Sequence, residues 1–447
     1  MSGARWGARS VRVLVACALV AVTGRAVRAD APRVPRIVRA ALASRGALSP
    51  RWPRTPAIDR ASSLVGAPEA RGRFAVTGQG ATICVIDTGV DLRHRDLRDA
   101  AGHTRARWVL DLARAPRGNH AELESIGGGA VLDRDEIDAA LDADDATLPV
   151  DSYGHGTAIA SLALGDDAGV GEDALGPLAG IAPGAELVAA FALRPGVPGF
   201  DDDDLVRSAQ FCVAAAADPR RLVIVLGMGG HDGAHDGSEP LERSLAALTA
   251  SGAQVVVAAG NEGREAVHAW AALRDGETAS VPLFVPAPVG APGERFVALS
   301  VAIDAASVTS IALRAPDGTS TDFVAPGTTV TADHAGGRLV VDGSAPPRDA
   351  GARVVYAVVT GGGDVPAPLG GGTYTLLVRG PGRFDAWIAG ADVGAALLSP
   401  TFSGPFADTR ETVAVPGTAP ELVTVGAVVS RALRRRGPAG ARAGRRG

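Results

Sequence analysis

An aspartate stands where α/β proteins place polar chemistry. Asp87 ends the apolar run 81–86 and is followed by Thr88 and Gly89. The carboxyl end of a parallel strand is where such sheets carry their sites, although Asp87 taken alone equally fits a turn. An aspartic protease would need a second carboxylate to share its proton. The sequence has no other Asp-Thr-Gly and no Asp-Ser-Gly, which sets that class aside.

A histidine between two glycines is the second candidate. His155 lies in Gly154-His155-Gly156-Thr157, directly before the apolar helical stretch 158–164. Its small neighbours leave the imidazole uncrowded, as a general base requires. A single histidine at a helix start is usually a capping or surface residue. An aspartate in the same chain that could orient the ring makes the base the better interpretation.

An asparagine at a strand end is the third candidate. Asn261 follows the apolar run 254–259 and Gly260. Its side-chain amide could donate a hydrogen bond to a developing oxyanion, an interaction whose loss costs about 3 to 4 kcal/mol. As an isolated Gly-Asn turn it would carry no functional meaning.

The chain around these residues alternates between strand and helix. The predicted strands are 81–86, 186–192, 222–226 and 254–259, and the predicted helices are 135–142, 157–164, 204–217 and 240–250. Such alternation favours a parallel sheet covered by helices. From about 264 to 412 the helical pattern gives way to short β-rich runs separated by Gly- and Pro-containing turns. This second pattern predicts a β-sandwich.

Together these segments resemble the subtilases, the subtilisin-like serine proteases, over about 73–263 and 412–430. The matching segments are Val85–Asp91, Gly154–Thr157, Ile181–Ala185 and Ala258–Asn261. The resemblance implies an α/β fold: a subtilisin-like parallel sheet with helices on both faces, interrupted by an all-β, jelly-roll-like sandwich. It also implies a serine endopeptidase that acts on peptides or proteins and requires no cofactor.

The resemblance also implies a role for each candidate residue. Asp87 would orient and stabilise the imidazole of His155, His155 would take the proton from a nucleophilic serine, and Asn261 would bind the oxyanion. An extended peptide substrate would lie along 225–230. There the family's usual Ser-Leu-Gly is replaced by Gly227-Met228-Gly229.

The family's nucleophile has no counterpart in the printed sequence. The family motif is Gly-Thr-Ser-x-Ala-x-Pro, and the only Gly-Thr-Ser is 318–320, which continues as Thr-Asp-Phe-Val between two β runs. We therefore expect Ser320 to belong to a sandwich hairpin. The segment 421–428 resembles the strand that precedes the nucleophile, and the Arg-, Ala- and Gly-rich residues 431–447 follow it. Our hypothesis is that this tail is out-of-frame or truncated sequence; the alternative is a basic tail on an inactive pseudoprotease.

The sequence divides into six segments. We predict a signal peptide (1–29), a leader or linker (30–72), the first part of the catalytic domain (73–263), the sandwich insert (264–412), a resumed catalytic strand (413–430) and the tail (431–447). The signal prediction rests on Arg5, Arg9 and Arg12 before a ten-residue apolar run, too short to span a membrane. A lipoprotein is less favoured because Cys17 lies inside that run. The protein should be secreted or periplasmic, without a membrane span after cleavage.

Composition limits the partners. A formal charge of −5 provides no basic field, so nucleic acid is not expected as a partner. We also expect the protein to be a monomer. Calcium could stabilise the fold, with Asp96 as a weak candidate ligand by family resemblance. The acidic run 201–204 reads as a helix cap. A nucleotide-binding domain is disfavoured because Asp232 stands where the glycine fingerprint after 227–229 needs Gly.

Two smaller features complete the predictions. Cys84 and Cys212 could pair in an oxidising compartment, but both lie in apolar segments, where buried free thiols are the commoner outcome. His231 and His235 each precede Asp-Gly, and we expect a flexible Gly-rich loop rather than a metal site there.

Overall fold

The structure is a computed structural model. It describes residues 58–99, 101–166, 179–195, 197, 199–288, 295–304, 306–325, 327–347, 351–361, 369–393 and 398–428. The predicted signal peptide, Cys17, most of the predicted leader and the tail 431–447 lie outside these residues.

A seven-stranded sheet forms the first half of the molecule. Its strands are β1 (Thr82–Asp87), β2 (Ala106–Asp111), β3 (Ala130–Asp133), β4 (Glu186–Phe191), β5 (Leu222–Leu226), β6 (Gln254–Ala258) and β18 (Val423–Val425). They lie in the order β18-β6-β5-β1-β4-β2-β3. All neighbours are parallel except β2 and β3, which pair antiparallel at one edge. Strand β1 is central, its residues 83–86 are apolar, and all six of its residues are buried.

Helices cover both faces of this sheet. They are α1 (Ile58–Leu64), α2 (Ala67–Phe74), α3 (Ala121–Gly127), α4 (Arg134–Asp142), α5 (His155–Leu164), α6 (Asp202–Ala215) and α7 (Pro240–Leu248). Alternate residues of a strand point to opposite faces. Ile83 therefore packs in the cluster that includes Leu164 of α5, whereas Ile86 packs with Leu205 of α6. The α/β class with helices on both faces is confirmed.

Two antiparallel sheets form the second half. The four-stranded sheet has the order β10-β14-β8-β16 and the seven-stranded sheet β11-β12-β13-β9-β15-β7-β17. The strands are β7 (His268–Leu273), β8 (Thr278–Val285), β9 (Phe296–Asp304), β10 (Ser310–Arg314), β11 (Thr329–His334), β12 (Gly337–Asp342), β13 (Ala352–Thr360), β14 (Gly372–Arg379), β15 (Gly382–Asp392), β16 (Thr401–Phe402) and β17 (Ala407–Asp408). One apolar core lies between the sheets, as in a sandwich.

Strand β9 joins the two halves. Its Leu299 face lies in the sandwich core, and its other face carries Ser300, which is fully buried. The Ser300 hydroxyl donates to the carbonyl of Gly233 (3.0 Å) and accepts from the Gly233 N–H (2.8 Å). The sandwich thus packs on the loop that follows β5, and β9 is buried on both sides.

Several elements were not predicted. The segment expected to be a linker (30–72) contains α1 and all but the last two residues of α2, and Arg71 of α2 donates to the carbonyl of Gly180 (2.8 Å). In the α/β half, β2, β3 and α3 were also missed. In the sandwich, the β-rich runs indicated by the sequence did not include β7, β8, β11, β16 and β17. The four residues of β3 are too few to show a period, which explains that omission. No helix among the described residues has the length and apolarity to cross a membrane.

The expectation of free thiols is wrong. Cys84 on β1 and Cys212 on α6 form a disulfide, with Cα atoms 5.9 Å apart. Both residues are fully buried, as expected from their apolar surroundings. The pairing follows from the direct packing of α6 on β1, a contact that neither segment's sequence specifies.

Reduction of this disulfide should lower stability. The bridge joins residues 128 apart in sequence, and closing so long a loop in the unfolded chain corresponds to about 5 kcal/mol. We expect dithiothreitol to shift the urea midpoint of the wild type downward and to leave the midpoint of the Cys84→Ala/Cys212→Ala variant unchanged. Equal midpoints of the wild type with and without reductant would contradict the assignment.

Candidate active site

Asp87 is the last residue of β1 and lies at the carboxyl edge of the sheet. Its carboxylate is buried, and Oδ1 accepts a hydrogen bond from the Thr88 N–H at 2.7 Å. The same oxygen lies 2.8 Å from Nδ1 of His155. Among the described residues, Oδ2 has no hydrogen-bond partner. The buried carboxylate is therefore held in place by β1 and directed at one imidazole.

His155 is the first residue of α5, and its side chain is half exposed. Gly154 before it adopts a left-handed conformation, with φ 76°, which is favourable only for residues such as glycine. Because Nδ1 faces Asp87, Nε2 is the ring nitrogen left to exchange a proton with a substrate or nucleophile. This is the arrangement of an oriented general base.

The glycine after the histidine permits a close backbone approach. A Cβ on Gly156 would lie 2.1 Å from the carbonyl oxygen of Gly89 and 2.8 Å from Cβ of Asp87. No side chain fits there, so the first turn of α5 rests directly on the turn that follows β1.

Substitution of this glycine should be costly. Gly156→Ala forces the β1 turn and α5 apart, and we expect a loss of about 3 kcal/mol in the free energy of unfolding, at the upper end of typical overpacking. Gly263→Ala is the control, because a Cβ at Gly263 meets no atom within 4 Å. Urea denaturation of both variants provides the comparison. Similar midpoints for the two would contradict the close approach.

Asp151 is a site residue to which sequence reasoning assigned no role. Its Oδ1 accepts from the Thr88 hydroxyl (2.8 Å), and its Oδ2 accepts from the Thr157 hydroxyl (2.7 Å) and N–H (3.0 Å). Thr88 in turn accepts from the N–H of Gly156 at 3.1 Å. Asp151 thus fixes the loop on both sides of His155. The sequence feature that could have indicated this role is the position of Asp151, four residues before His155.

Two carboxylates act on the titration of the histidine. The hydrogen bond to Asp87 raises the pKa of His155, burial opposes it, and the charges of Asp87 and Asp151 add to the rise. For Asp151 itself, burial raises the pKa, but hydrogen bonds from Thr157, Gly154 and Thr88 outweigh it, and the net pKa is lowered. Asp151 therefore stays ionised beside the loop.

The pKa of His155 should depend on both partners. We expect NMR titration to give a value above 6.5 in the wild type, a clear fall in Asp87→Asn and a smaller fall in Asp151→Asn. Asp99→Asn, at an exposed aspartate beside His103, should leave the value unchanged. An unchanged titration in Asp87→Asn would contradict the geometry.

The same shift has a consequence for stability. Since the folded-state pKa lies above the unfolded one, the pair stabilises the fold below the unfolded pKa, and this contribution is lost as the pH rises through the folded pKa. The difference in the free energy of unfolding between the wild type and Asp87→Asn should therefore become smaller as the pH is raised from acidic to alkaline values.

The predicted substrate segment divides into three environments. A Cβ on Gly227 would lie 3.1 Å from Oδ2 of Asp87 and 3.2 Å from Cε1 of His155, so Gly227 adjoins the pair. Met228 is nearly buried and packs in the core between the sheet and α6. Gly229 is covered by Val415, whose N–H and C=O pair with Gly230. Of the three, Gly227 is the one that borders the Asp87–His155 pair.

Asn261 lies beyond the end of β6 and is exposed. Strand β5 separates β6 from β1, and all three are parallel, so Asn261 and Asp87 reach the same edge of the sheet. The Asn261 N–H donates to Oε2 of Glu262 at 2.7 Å, and that oxygen lies 3.5 Å from Nε2 of His231. Burial raises the pKa of Glu262, but the contact with His231 and the hydrogen bonds from the backbone N–H groups of Asn261 and Glu262 together outweigh it, and the net pKa is lowered.

Ser320 belongs to the sandwich, as expected. It forms an antiparallel bridge with Arg314 at the end of β10, and its hydroxyl donates to the carbonyl of Leu313 at 3.1 Å. This places it in the strand–turn–strand context that the sequence indicated.

Asp96, the candidate calcium ligand, lies beside an arginine side chain. Asp96 is buried near Arg105. Burial lowers the pKa of Arg105, and the charges of Asp166 and Asp96 offset only part of that lowering. Within the described residues, the clusters of three possible ligands do not include Asp96. The acidic run behaves as a cap: Asp201 accepts from the N–H of Asp203 (2.9 Å), and Asp204 binds Arg194.

The loop expected to be flexible is packed beneath the sandwich. His231 stacks on His235 (5.3 Å between centroids), and His235 stacks on Trp387 of β15 (4.1 Å). Burial lowers the pKa of His235 to about 3. The expectation failed because its Gly-rich composition does not reveal the aromatic surface that covers it.

The fold and the site together define a subtilisin-like protein. Residues 78–351 match the sequence model of the subtilase family, and the chain belongs to that family. The structure is similar to that of the Clostridium perfringens CspB protease, with a TM-score of 0.65 and 23% identity over 84% of this chain and 75% of that one.

A curated relative is also similar. It is a subtilisin-like protease of Coccidioides posadasii (strain C735), 27% identical over 194 residues, which cover 43% of this chain and 35% of that protein. The match spans about a third of the relative's length.

Proposed function

We propose that the chain is a secreted subtilisin-like serine endopeptidase whose nucleophilic serine is absent from the 447 printed residues. Membership of the subtilase family supports a serine protease. The observation that carries the assignment is the 2.8 Å contact between Nδ1 of His155 and the buried Oδ1 of Asp87. It leaves Nε2 as the proton acceptor.

In this proposal, Nε2 of His155 takes the hydroxyl proton as the serine oxygen attacks the substrate carbonyl. The negative charge that develops on that carbonyl oxygen is stabilised by the amide of Asn261, and Asp87 stabilises the imidazolium. The imidazolium then gives its proton to the leaving amine. Water then attacks the acyl carbon while Nε2 of His155 takes a proton from it, and the imidazolium returns that proton to the serine oxygen as the ester bond breaks and the acid product leaves.

Without the serine, the printed chain should be nearly inactive. Loss of the nucleophile lowers kcat about 10⁶-fold in a subtilisin. The absence of Gly-Thr-Ser-x-Ala-x-Pro from the printed residues also favours a second candidate, a catalytically inactive peptide-binding pseudoprotease.

The disulfide supports the proposed location. Stable disulfides are typical of oxidising compartments, so the Cys84–Cys212 bridge favours a secreted or periplasmic protein. With a formal charge of −5, a peptide or protein substrate suits the chain better than a nucleic acid.

The genomic sequence beyond codon 430 separates the candidates. If another frame encodes Gly-Thr-Ser-x-Ala-x-Pro, the chain extended in that frame should be labelled by a fluorophosphonate probe, and His155→Ala should abolish labelling. His103→Ala, an exposed histidine paired with Asp99, is the matched control and should retain it.

Two outcomes would count against the enzyme. If no frame encodes the motif, the frameshift hypothesis fails and the pseudoprotease is favoured. If the extended chain folds, as judged by circular dichroism, but is not labelled, the endopeptidase proposal fails.

A further inference from the structure

A histidine and two carboxylates converge at the outer edge of the first sheet. His120 precedes α3, Asp133 ends β3, and Glu136 lies in the first turn of α4. The order β1-β4-β2-β3 separates this cluster from Asp87 by two strands. We propose that His120, Asp133 and Glu136 bind a divalent transition metal of the zinc class. The inference is independent of the proposed proteolytic function.

The three candidate ligand atoms are spaced for a small cation. Nε2 of His120 lies 2.8 Å from Oε2 of Glu136 and 3.7 Å from Oδ2 of Asp133. In a tetrahedral zinc site with bonds of about 2.0 to 2.1 Å, neighbouring ligand atoms lie about 3.3 Å apart. The two distances lie on either side of that value, so shifts of about half an ångström would complete the site.

The remaining carboxylate oxygens already have partners. Oε1 of Glu136 accepts from Nη2 of Arg117 (2.9 Å) and Nδ2 of Asn119 (2.9 Å). Oδ1 of Asp133 accepts from the N–H of Glu136 at 2.9 Å. Each carboxylate therefore keeps one oxygen directed at His120, and that oxygen of Glu136 (Oε2) also accepts the N–H of Asp133 at 3.1 Å. Such outer hydrogen bonds orient ligands in metal sites.

The surrounding elements hold this geometry. Asp133 and Glu136 form a reciprocal capping box at the start of α4, which fixes both side chains. The His120 and Trp108 rings pack in a T-shaped arrangement, with 5.0 Å between centroids and 82° between ring planes. Trp108 on β2 is paired with Asp133 on β3. The pairing of β2 with β3 thus places Trp108, and the histidine that packs on it, beside the two carboxylates.

A dication suits the cluster better than a hydrogen bond alone. One imidazole nitrogen faces two carboxylates, and a single N–H can serve only one of them well. A bound dication would interact favourably with both carboxylates and with the nitrogen lone pair. Imidazole with carboxylates suits zinc and its neighbours, whereas calcium and magnesium prefer oxygen ligands alone.

A similar cluster in the sandwich shows what excludes a metal. His268 lies 3.2 Å from Oδ1 of Asp385 and 4.0 Å from Glu411. There Nη2 of Arg383 lies 2.6 Å from the same Asp385 oxygen and 3.4 Å from Glu411. A cation therefore already occupies the ligand position. In the His120 cluster, Arg117 contacts the Glu136 oxygen that faces away from the histidine.

Zinc titration of the full chain tests the proposal. We expect the untagged wild type to bind one equivalent of Zn²⁺ by calorimetry, with a rise in melting temperature, and bound Co²⁺ to show the visible absorption of a nitrogen- and oxygen-ligated site. His120→Ala and Glu136→Gln should each weaken binding at least about tenfold. His103→Ala, at an exposed histidine beside Asp99, is the control and should bind like the wild type.

The variants separate a metal site from a structural contact. Glu136→Gln keeps an acceptor for the helix cap, so loss of Zn²⁺ binding with an unchanged circular dichroism spectrum supports the site. The proposal is overturned if the wild type binds no Zn²⁺, or if His120→Ala and Glu136→Gln bind it as tightly as the wild type.

Discussion

The candidate active site depends on a contact that leaves no space for a side chain. The backbone of Gly156 lies against the carbonyl of Gly89, which brings the start of α5 onto the turn after β1. Because Asp87 ends that strand and His155 begins that helix, the contact sets the distance between carboxylate and imidazole. Asp151 then ties the two backbones together through hydroxyl groups. The hydrogen bond between the two side chains is a consequence of this backbone packing.

Site residues that lie at the end of a strand or the start of a helix could be predicted from the sequence. Asp87 follows an apolar run and His155 precedes one. Their places in the α/β half could therefore be predicted from the periodicity of the sequence. The role of Asp151 and the partner of Cys84 could not be read. Both depend on which segments pack together in space, and the disulfide requires α6 to lie on β1. The Gly-rich loop with His235 was misjudged because its order comes from Trp387 of a distant strand.

The sandwich is more than an appended domain, because it packs on the α/β half. Strand β9 gives one face to its own core and the other to the loop after β5, where buried Ser300 pairs with Gly233. Through His231, which faces Glu262, that loop also reaches the segment of Asn261. The sandwich thus packs on the loop that borders the segment of the candidate oxyanion residue.

The position of β18 has a consequence for how the chain folds. Val423 pairs with Val256 of β6, yet the whole sandwich lies between them in sequence. Hairpins within the sandwich form through local contacts, whereas this parallel pairing must await the close of a very long loop. Until then β6 keeps an unpaired apolar edge, a template for association with other chains. The protein should therefore be most prone to aggregate during synthesis, before the residues around Val423 emerge.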